Sequence, residues 1–388
     1  MNTARHIQTL PPYVPIEPFE VLSARLGREP SEIIKLDANE NPYGPSPAAR
    51  RALAELEYPH IYPDPESRLL RTALARFTGL SIEYLMAGAG SDELLDLLLR
   101  VCIEPGDAVL SCPPTFGMYA FDTHLHAGRL IEVPRLADFA LDLPAIRRAV
   151  ETERPKILFL ASPNNPDGSM VPDEAVNALL DLPVLVVLDE AYIEFSGLGR
   201  LGAGGTRLAE VPQRENLVVM RTFSKWAGLA GLRVGYGAFP EWLLPMLWKA
   251  KQPYNVNVAA SSAAIASLED LGYLEDKVAA LITERERMFS GLARFPVIRP
   301  YPSRANFILC QITHGWGDET ASGRGSASGR GSASGRGSAS GQALKSRLIE
   351  HGILIRYFDK PDLRDCIRIS TGKPEHTDKL LETLNDIL

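Results

Sequence analysis

Cysteine is scarce in this chain. Its 388 residues include four, Cys102, Cys112, Cys310 and Cys366, and no two stand at C-x-x-C or zinc-ligand spacing, which argues against a disulfide framework or a metal cluster. Long apolar runs are also lacking. No stretch reaches the length of a membrane span, and the first residues do not pass from a basic start into an apolar segment, so neither a span nor a secretory leader is expected and a cytoplasmic enzyme is the default. Positive charge is not in excess either: 41 Lys and Arg against 48 Asp and Glu leave a formal charge of −7, which gives no general pull toward nucleic acid or an anionic membrane. Any bound anion must be held by a local cluster. What remains is ordinary globular material, 45% hydrophobic and 23% charged, long enough for two domains and a large core.

The stretch from Arg221 to Gly237, R-T-F-S-K-W-A-G-L-A-G-L-R-V-G-Y-G, carries one lysine among small residues. It leaves the apolar run Leu217-Val218-Val219-Met220, which predicts a buried strand and puts Lys225 just past the strand end, where α/β sheets place their chemistry. A lysine near a cation or in a dry pocket gives up its proton readily and can form a Schiff base with an aldehyde. Arg233 can supply part of that field. Thr222, Ser224 and Arg233 are also phosphate-binding types, two hydroxyl donors and a two-pronged guanidinium. Lysine beside a phosphate site suggests pyridoxal phosphate, although a Gly/Ala-rich turn with a solvated lysine fits the stretch equally well when taken alone.

Five prolines within residues 1 to 30 predict an extended N-terminal arm, residues 1–40, broken by a short helix from Pro18 to Gly27. Beyond it the pattern predicts a helix at Ser46 to Leu56 with Pro47 in its first turn, and another at Glu66 to Thr78 with Leu69, Leu70, Leu74 and Phe77 on one face. Ala87-Gly88-Ala89-Gly90-Ser91-Asp92-Glu93 enters a leucine-rich helix whose first free amides can hold an anion, or be capped in the ordinary way. Strands at Ala108 to Ser111, Arg129 to Val133, Ile157 to Ala161, Val184 to Leu188 and Leu217 to Met220 alternate with helices, which implies a mainly parallel sheet with helices on both faces. Strands of such a sheet end on one edge. Asn165, Asp189, Tyr192 and Lys225, each in or next to a strand end, can therefore converge. Phe116 follows its strand directly and can be either a lid on a flat ring or a core residue.

Residues 273–388 predict a second, smaller α/β region, with strands at Asn306 to Gln311, Ile353 to Arg356 and Cys366 to Ser370, and a helix from Leu344 to His351. Arg368 alternates with Ile367 and Ile369, so the pattern buries it either in an ion pair or as an anion clamp. Ala321 to Gly341 repeats S-A-S-G-R-G almost without change, a composition that cannot bury a core and predicts a flexible insertion.

Taken in order, L-D-A-N-E-N-P-Y-G-P, Y-P-D-P, S-P-N-N-P-D-G, D-E-A-Y-I-E-F, T-F-S-K, G-L-A-G-L-R-V-G-Y and C-I-R-I-S-T-G resemble the fold-type I pyridoxal-phosphate aminotransferases, and within them the branch that acts on histidinol phosphate. The resemblance covers nearly the whole chain outside Ala321 to Gly341. It implies a large cofactor-binding domain at 41–272 and a smaller one at 273–388. It also implies that Lys225 bonds the cofactor and then moves the substrate proton, that Asp189 keeps the pyridine nitrogen protonated, and that Asn165 and Tyr192 donate to the phenolic oxygen. Phe116, where family members often have tyrosine, would stack on the ring. Gly90, Ser91, Asp92, Thr222, Ser224 and Arg233 would hold the phosphate, and Tyr62 would reach the phosphate in a neighbouring subunit, which makes the enzyme a homodimer. Tyr13, Asn41, Arg356 and Arg368 would bind the substrates, histidinol phosphate and glutamate, since one arginine cluster can pair with phosphate or carboxylate. An aromatic or broad-specificity aminotransferase, or a phosphothreonine decarboxylase, would share most of these positions.

Overall fold

The computed structural model describes residues 3–12, 18–313 and 340–388. Twelve strands form two sheets: β1 (Ile34–Leu36), β2 (Leu85–Gly88), β3 (Ala108–Ser111), β4 (Arg129–Glu132), β5 (Ile157–Ala161), β6 (Leu185–Asp189), β7 (Leu217–Thr222), β8 (Gly235–Ala238), β9 (Ile298–Pro300), β10 (Phe307–Ile312), β11 (Ile353–Tyr357) and β12 (Cys366–Ser370). The larger sheet runs β2-β8-β7-β6-β5-β3-β4. Strands β4, β3, β5, β6 and β7 are parallel, and β8 is antiparallel to both of its neighbours.

The parallel centre follows from composition. Strands β5, β6 and β7 are buried along their whole length, as near-continuous runs of Ile, Leu and Val demand when both faces are covered. Side chains alternate between two cores: Leu158, Leu160, Val186, Leu188 and Val219 pack on one face, and Ile157, Phe159, Val187 and Val218 on the other. The chain adds β4 on one side of β3 and then turns back to place β5 on the other. That reversal opens a crevice at the C-terminal ends of the strands, the usual ligand position of open α/β sheets.

The second sheet, β1-β11-β12-β10-β9, joins the N-terminal arm to the last third of the chain. Strand β1 lies parallel to β11, Ile34 opposite Ile353 and Leu36 opposite Ile355, while from β11 through β12 and β10 to β9 each strand is antiparallel to the next. Leu36, Ile308, Ile353, Ile367 and Ile369 share one core beneath it.

Several local expectations are corrected. The helix at Pro47–Ala54 forms as expected, with Ser46 Oγ accepting from Ala49 N at 3.2 Å. The next helix, Arg68–Thr78, buries Leu70, Arg71 and Leu74 and leaves Leu69 77% exposed. Arg71 goes inside because its guanidinium donates to the Leu85 and Ile82 carbonyls at 2.8 and 2.7 Å, which satisfies a buried cation. Strands β1, β2, β8 and β9 were not anticipated: β1 and β9 span three residues each, and β2 and β8 carry glycine, which weakens any strand signal. Residues 314–339, most of the expected insertion, lie outside the described residues. Its last two residues, Ser340 and Gly341, instead open the helix Ser340–Glu350, in which Leu344 and Leu348 are buried. Among the described residues no helix is long and apolar enough to cross a membrane.

Behind the end of β7 lies a buried charge cluster. Arg221 Nε stands 3.3 Å from Glu190 Oε2 and 3.8 Å from Glu194 Oε1. Thr206 Oγ1 and the Arg207 amide donate to Glu190 at 2.6 and 2.8 Å, whereas neither Glu194 oxygen accepts a hydrogen bond. Burial accordingly pushes the Glu194 carboxyl up from 4.5 to about 7, against the pull of Arg221. A carboxyl raised on folding adds stability at low pH that is lost as pH climbs from the unfolded to the folded pKa. Glu194→Gln is therefore expected to gain stability relative to the native protein as pH rises from 4.5 to about 7, measured by denaturant unfolding at several pH values; a difference independent of pH would refute the assignment.

Candidate active site

The crevice at the sheet's C-terminal edge is a cavity of about 150 Å³. Four strand ends feed it: Phe116 follows β3, Asn165 follows β5, Asp189 ends β6 with Tyr192 beyond it, and Lys225 follows β7. Parallel register does the aligning, since Ala161 lies opposite Asp189 and Asp189 opposite Met220. Ser91, Asp92, Thr222, Ser224 and Arg233 line the same cavity.

Lys225 is partly buried, and its Nζ donates to the Ala38 carbonyl at 3.2 Å. Burial, then the nearby Arg368 guanidinium, pull its pKa from 10.5 to about 8. Asp189 is buried, with burial raising its carboxyl to about 6 despite two donors: Tyr119 Oη at 2.8 Å on Oδ2 and the Ala191 amide at 3.0 Å on Oδ1. Tyr119 in turn stacks on Phe159 at 5.0 Å and meets Phe116 edge-on at 5.6 Å. The Tyr192 hydroxyl accepts from Asn39 Nδ2 at 3.0 Å.

One end of the cavity is built for an anion. The helix Ser91–Cys102 begins after Gly90 with no side chain capping its first turn, so its leading amides face the cavity with the positive end of the helix dipole. Arg233 Nη2 reaches Asp92 Oδ2 at 2.8 Å. Gly90 has φ +82, and a Cβ there would sit 2.7 Å from Arg233 Nη2; a Cβ on Gly235 would fall 2.6 Å from the Ser91 amide nitrogen. Only glycines let these parts approach so closely.

The expected substrate residues divide. Arg368 is buried on β12; its Nη1 donates to Asn165 Oδ1 at 2.6 Å and its Nη2 to the Asp37 carbonyl at 2.8 Å. Arg356 stands opposite it on β11, and Phe358 lies 5.9 Å from the Arg356 guanidinium carbon and 5.6 Å from that of Arg368. Asn41 is used elsewhere: its Nδ2 donates to the Trp226 carbonyl at 2.9 Å and its Oδ1 accepts from the Tyr43 amide at 3.0 Å, so it pins the lysine loop and does not line the cavity. Asn39, two residues earlier, also lies behind the cavity wall but touches one of its lining residues, Tyr192. Tyr62 lies outside the chain's own cavity, 79% exposed and stacked on Tyr254 with ring centres 4.7 Å apart. Tyr13 falls outside the described residues. Asn39 and Tyr119 were missed by the sequence reading, although Tyr119 is one helical turn beyond Phe116.

A low-pKa lysine facing a buried carboxylate across a cavity, with an anion cradle at one end, defines an α/β enzyme that works through an amine. A family model described as aminotransferase class I and II matches residues 31–384. The chain belongs to that family. It is 51% identical over 98% of its length, and 85% of the relative's, to a chloroplastic histidinol-phosphate aminotransferase of Nicotiana plumbaginifolia, and 49% identical over 98% of its length and 96% of the relative's to a histidinol-phosphate aminotransferase of Roseiflexus castenholzii. Among solved structures it is similar to histidinol-phosphate aminotransferase from Sinorhizobium meliloti in complex with pyridoxal-5'-phosphate, with a TM-score of 0.84 and 30% identity over 99% of this chain and 97% of that one.

The lysine carries its own prediction. In cofactor-free protein, capture of a small aldehyde at Lys225, trapped with borohydride and read by mass spectrometry, should rise with pH about a midpoint near 8; a midpoint near the ordinary 10.5 would show that the cavity does not perturb the amine.

Proposed function

We propose that this aminotransferase uses pyridoxal phosphate to move an amino group between glutamate and imidazole-acetol phosphate, forming histidinol phosphate and 2-oxoglutarate in histidine biosynthesis. The observation that carries the reading is the pairing of Lys225 and Asp189 across one cavity with the Gly90–Arg233 cradle at its end. The residues fit the cofactor: a carboxylate for a ring nitrogen, Phe116 for a ring face, Asn165 and Tyr192 for a phenolic oxygen, and the Ser91 and Asp92 amides with Thr222, Ser224 and Arg233 for a phosphate. When bound, that cofactor supplies an electron sink for the charge left on the substrate carbon.

The chain's own groups do the rest. Asp189, held at both oxygens, is fixed as the acceptor for a proton on the facing nitrogen. Lys225 Nζ, with its lowered pKa, would hold the cofactor through its aldehyde carbon, with loss of water, and as a free amine would take up and return the substrate proton. Arg368 and Arg356 present two cations to the far anion of the substrate, phosphate ester or carboxylate, and bidentate pairing suits both. Asn165 accepts from Arg368, so the anion clamp and the cofactor-facing amide are tied together.

The same proposal assigns residues 41–272 to a cofactor-holding unit and 273–388, joined by the arm 1–40, to a smaller one, which the pairing of β1 with β11 supports. It includes a homodimer in which Tyr62 serves the partner's site, supported by the exposed Tyr62 and Tyr254 pair. A cytoplasmic location belongs to it on sequence grounds alone.

Single-turnover spectra of the loaded enzyme with histidinol phosphate, glutamate and aromatic amino acids test the substrate. Conversion is expected with the first two, fastest with histidinol phosphate; failure with histidinol phosphate would overturn the substrate and leave the broader class intact. Lys225→Ala should lose turnover and the visible band of the linked cofactor together, and native-like turnover would defeat the mechanism.

A further inference from the structure

The sequence assigns Asn39 no role of its own, yet four hydrogen bonds converge on it. Its backbone amide donates to Ser370 Oγ at 2.9 Å, its Oδ1 accepts from Ser370 Oγ at 2.9 Å, and its Nδ2 donates to Tyr192 Oη at 3.0 Å. Asn306 Nδ2 donates to its carbonyl at 2.9 Å. Asn39 is 1% exposed, Ser370 2% and Tyr192 7%, so water is in no position to substitute for a missing partner. The backbone at Asn39 has φ 56, a conformation that asparagine tolerates better than most residues.

These contacts fix where the protons lie. The Ser370 oxygen already accepts the Asn39 amide proton, so the serine's own proton goes to an acceptor, and Asn39 Oδ1 is there. The side-chain oxygen therefore faces Ser370, and the NH2 group faces Tyr192. An amide turned the other way would leave the serine proton with no acceptor at that position and would invite the tyrosine proton toward Asn39. Because Asn39 donates to the phenol oxygen, Tyr192 keeps its own proton for the cavity it lines.

We propose that Ser370 and Asn39 form a positioning relay that holds Tyr192 as an obligate hydrogen-bond donor into the cavity, toward an anionic oxygen bound there. The inference rests on the reading above, in which that oxygen is the phenolic oxygen of pyridoxal phosphate. The relay starts on β12, where Arg368 stands two residues before Ser370 and so on the same face. The strand that offers a guanidinium to the substrate anion thus also sets the proton on the cofactor-facing tyrosine, by a route separate from the Arg368–Asn165 contact.

The test is a pH titration of the visible absorption of the enzyme loaded with pyridoxal phosphate, in Ser370→Ala and Asn39→Asp, each with Tyr192 and with Tyr192→Phe. Melting of the cofactor-free proteins checks folding, and Ser370→Ala, which loses a single oxygen, keeps the test open if Asn39→Asp does not fold. A donor to the phenolic oxygen lowers the proton affinity of the lysine-linked nitrogen. Asn39→Asp, whose carboxylate would accept the tyrosine proton, should therefore raise the titration midpoint by about one pH unit. Ser370→Ala should raise it less, and should raise it not at all once Tyr192 is phenylalanine. Unchanged midpoints in both single variants, or a Ser370→Ala shift that persists without the Tyr192 hydroxyl, would overturn the relay. A native enzyme that takes up pyridoxal phosphate without any visible band would instead overturn the cofactor reading.

Discussion

An amine that must act as a nucleophile and as a base near neutral pH has to be kept from holding its proton too tightly, and much of this molecule is arranged around that requirement. Burial does most of it at Lys225, and the Arg368 guanidinium adds to it. Neither is local to the lysine in sequence. The apolar surroundings come from the runs of the parallel strands, and the guanidinium comes from the other sheet. Once the two sheets meet, the lysine sits where its neutral form is available. Asp189 illustrates the opposite balance, because a buried carboxyl would drift further up in pKa without Tyr119 and the Ala191 amide. The same desolvation acts on both groups, and opposite hydrogen-bonding arrangements set them to different tasks.

The parallel sheet explains why residues so far apart in sequence share one cavity. Each strand delivers its chemistry at the same end, so phenylalanine, asparagine, aspartate, tyrosine and lysine need no long-range design beyond register. What the sheet cannot supply is a lid. The second sheet provides it, with Arg368, Ser370 and the loop from Asp37 to Gly44 coming over the strand ends. Gly228, with φ +68 and a Cβ position only 2.5 Å from the Gly44 backbone, shows how tightly that loop is laid on the lysine turn.

This division accounts for what could be read from the residues alone. The strand ends were legible, because long buried strands announce themselves by composition and their last residues point to the site; Lys225, Asp189, Tyr192, Asn165 and Phe116 all line the cavity. The choice between Asn39 and Asn41 was not legible. Both sit in one polar loop, and only tertiary contact reveals that Asn41 is consumed by the Trp226 carbonyl while Asn39 meets Tyr192. Tyr119 was hidden for a related reason, since a tyrosine in an apolar helix reads as core until its hydroxyl is seen on Asp189. The three-residue strands β1 and β9 and the glycine-bearing strands β2 and β8 carried little strand signal, and Leu69 turned outward while a satisfied arginine took the inner face.

The pairing of β1 with β11 bears on how the protein is made. Ile34 leaves the ribosome well ahead of its partner Ile353, by a wait on the order of tens of seconds at usual elongation rates. Until then the leading segment has no sheet to join, and the Ala38 carbonyl and the Arg368 guanidinium that bear on Lys225 are not yet held over it.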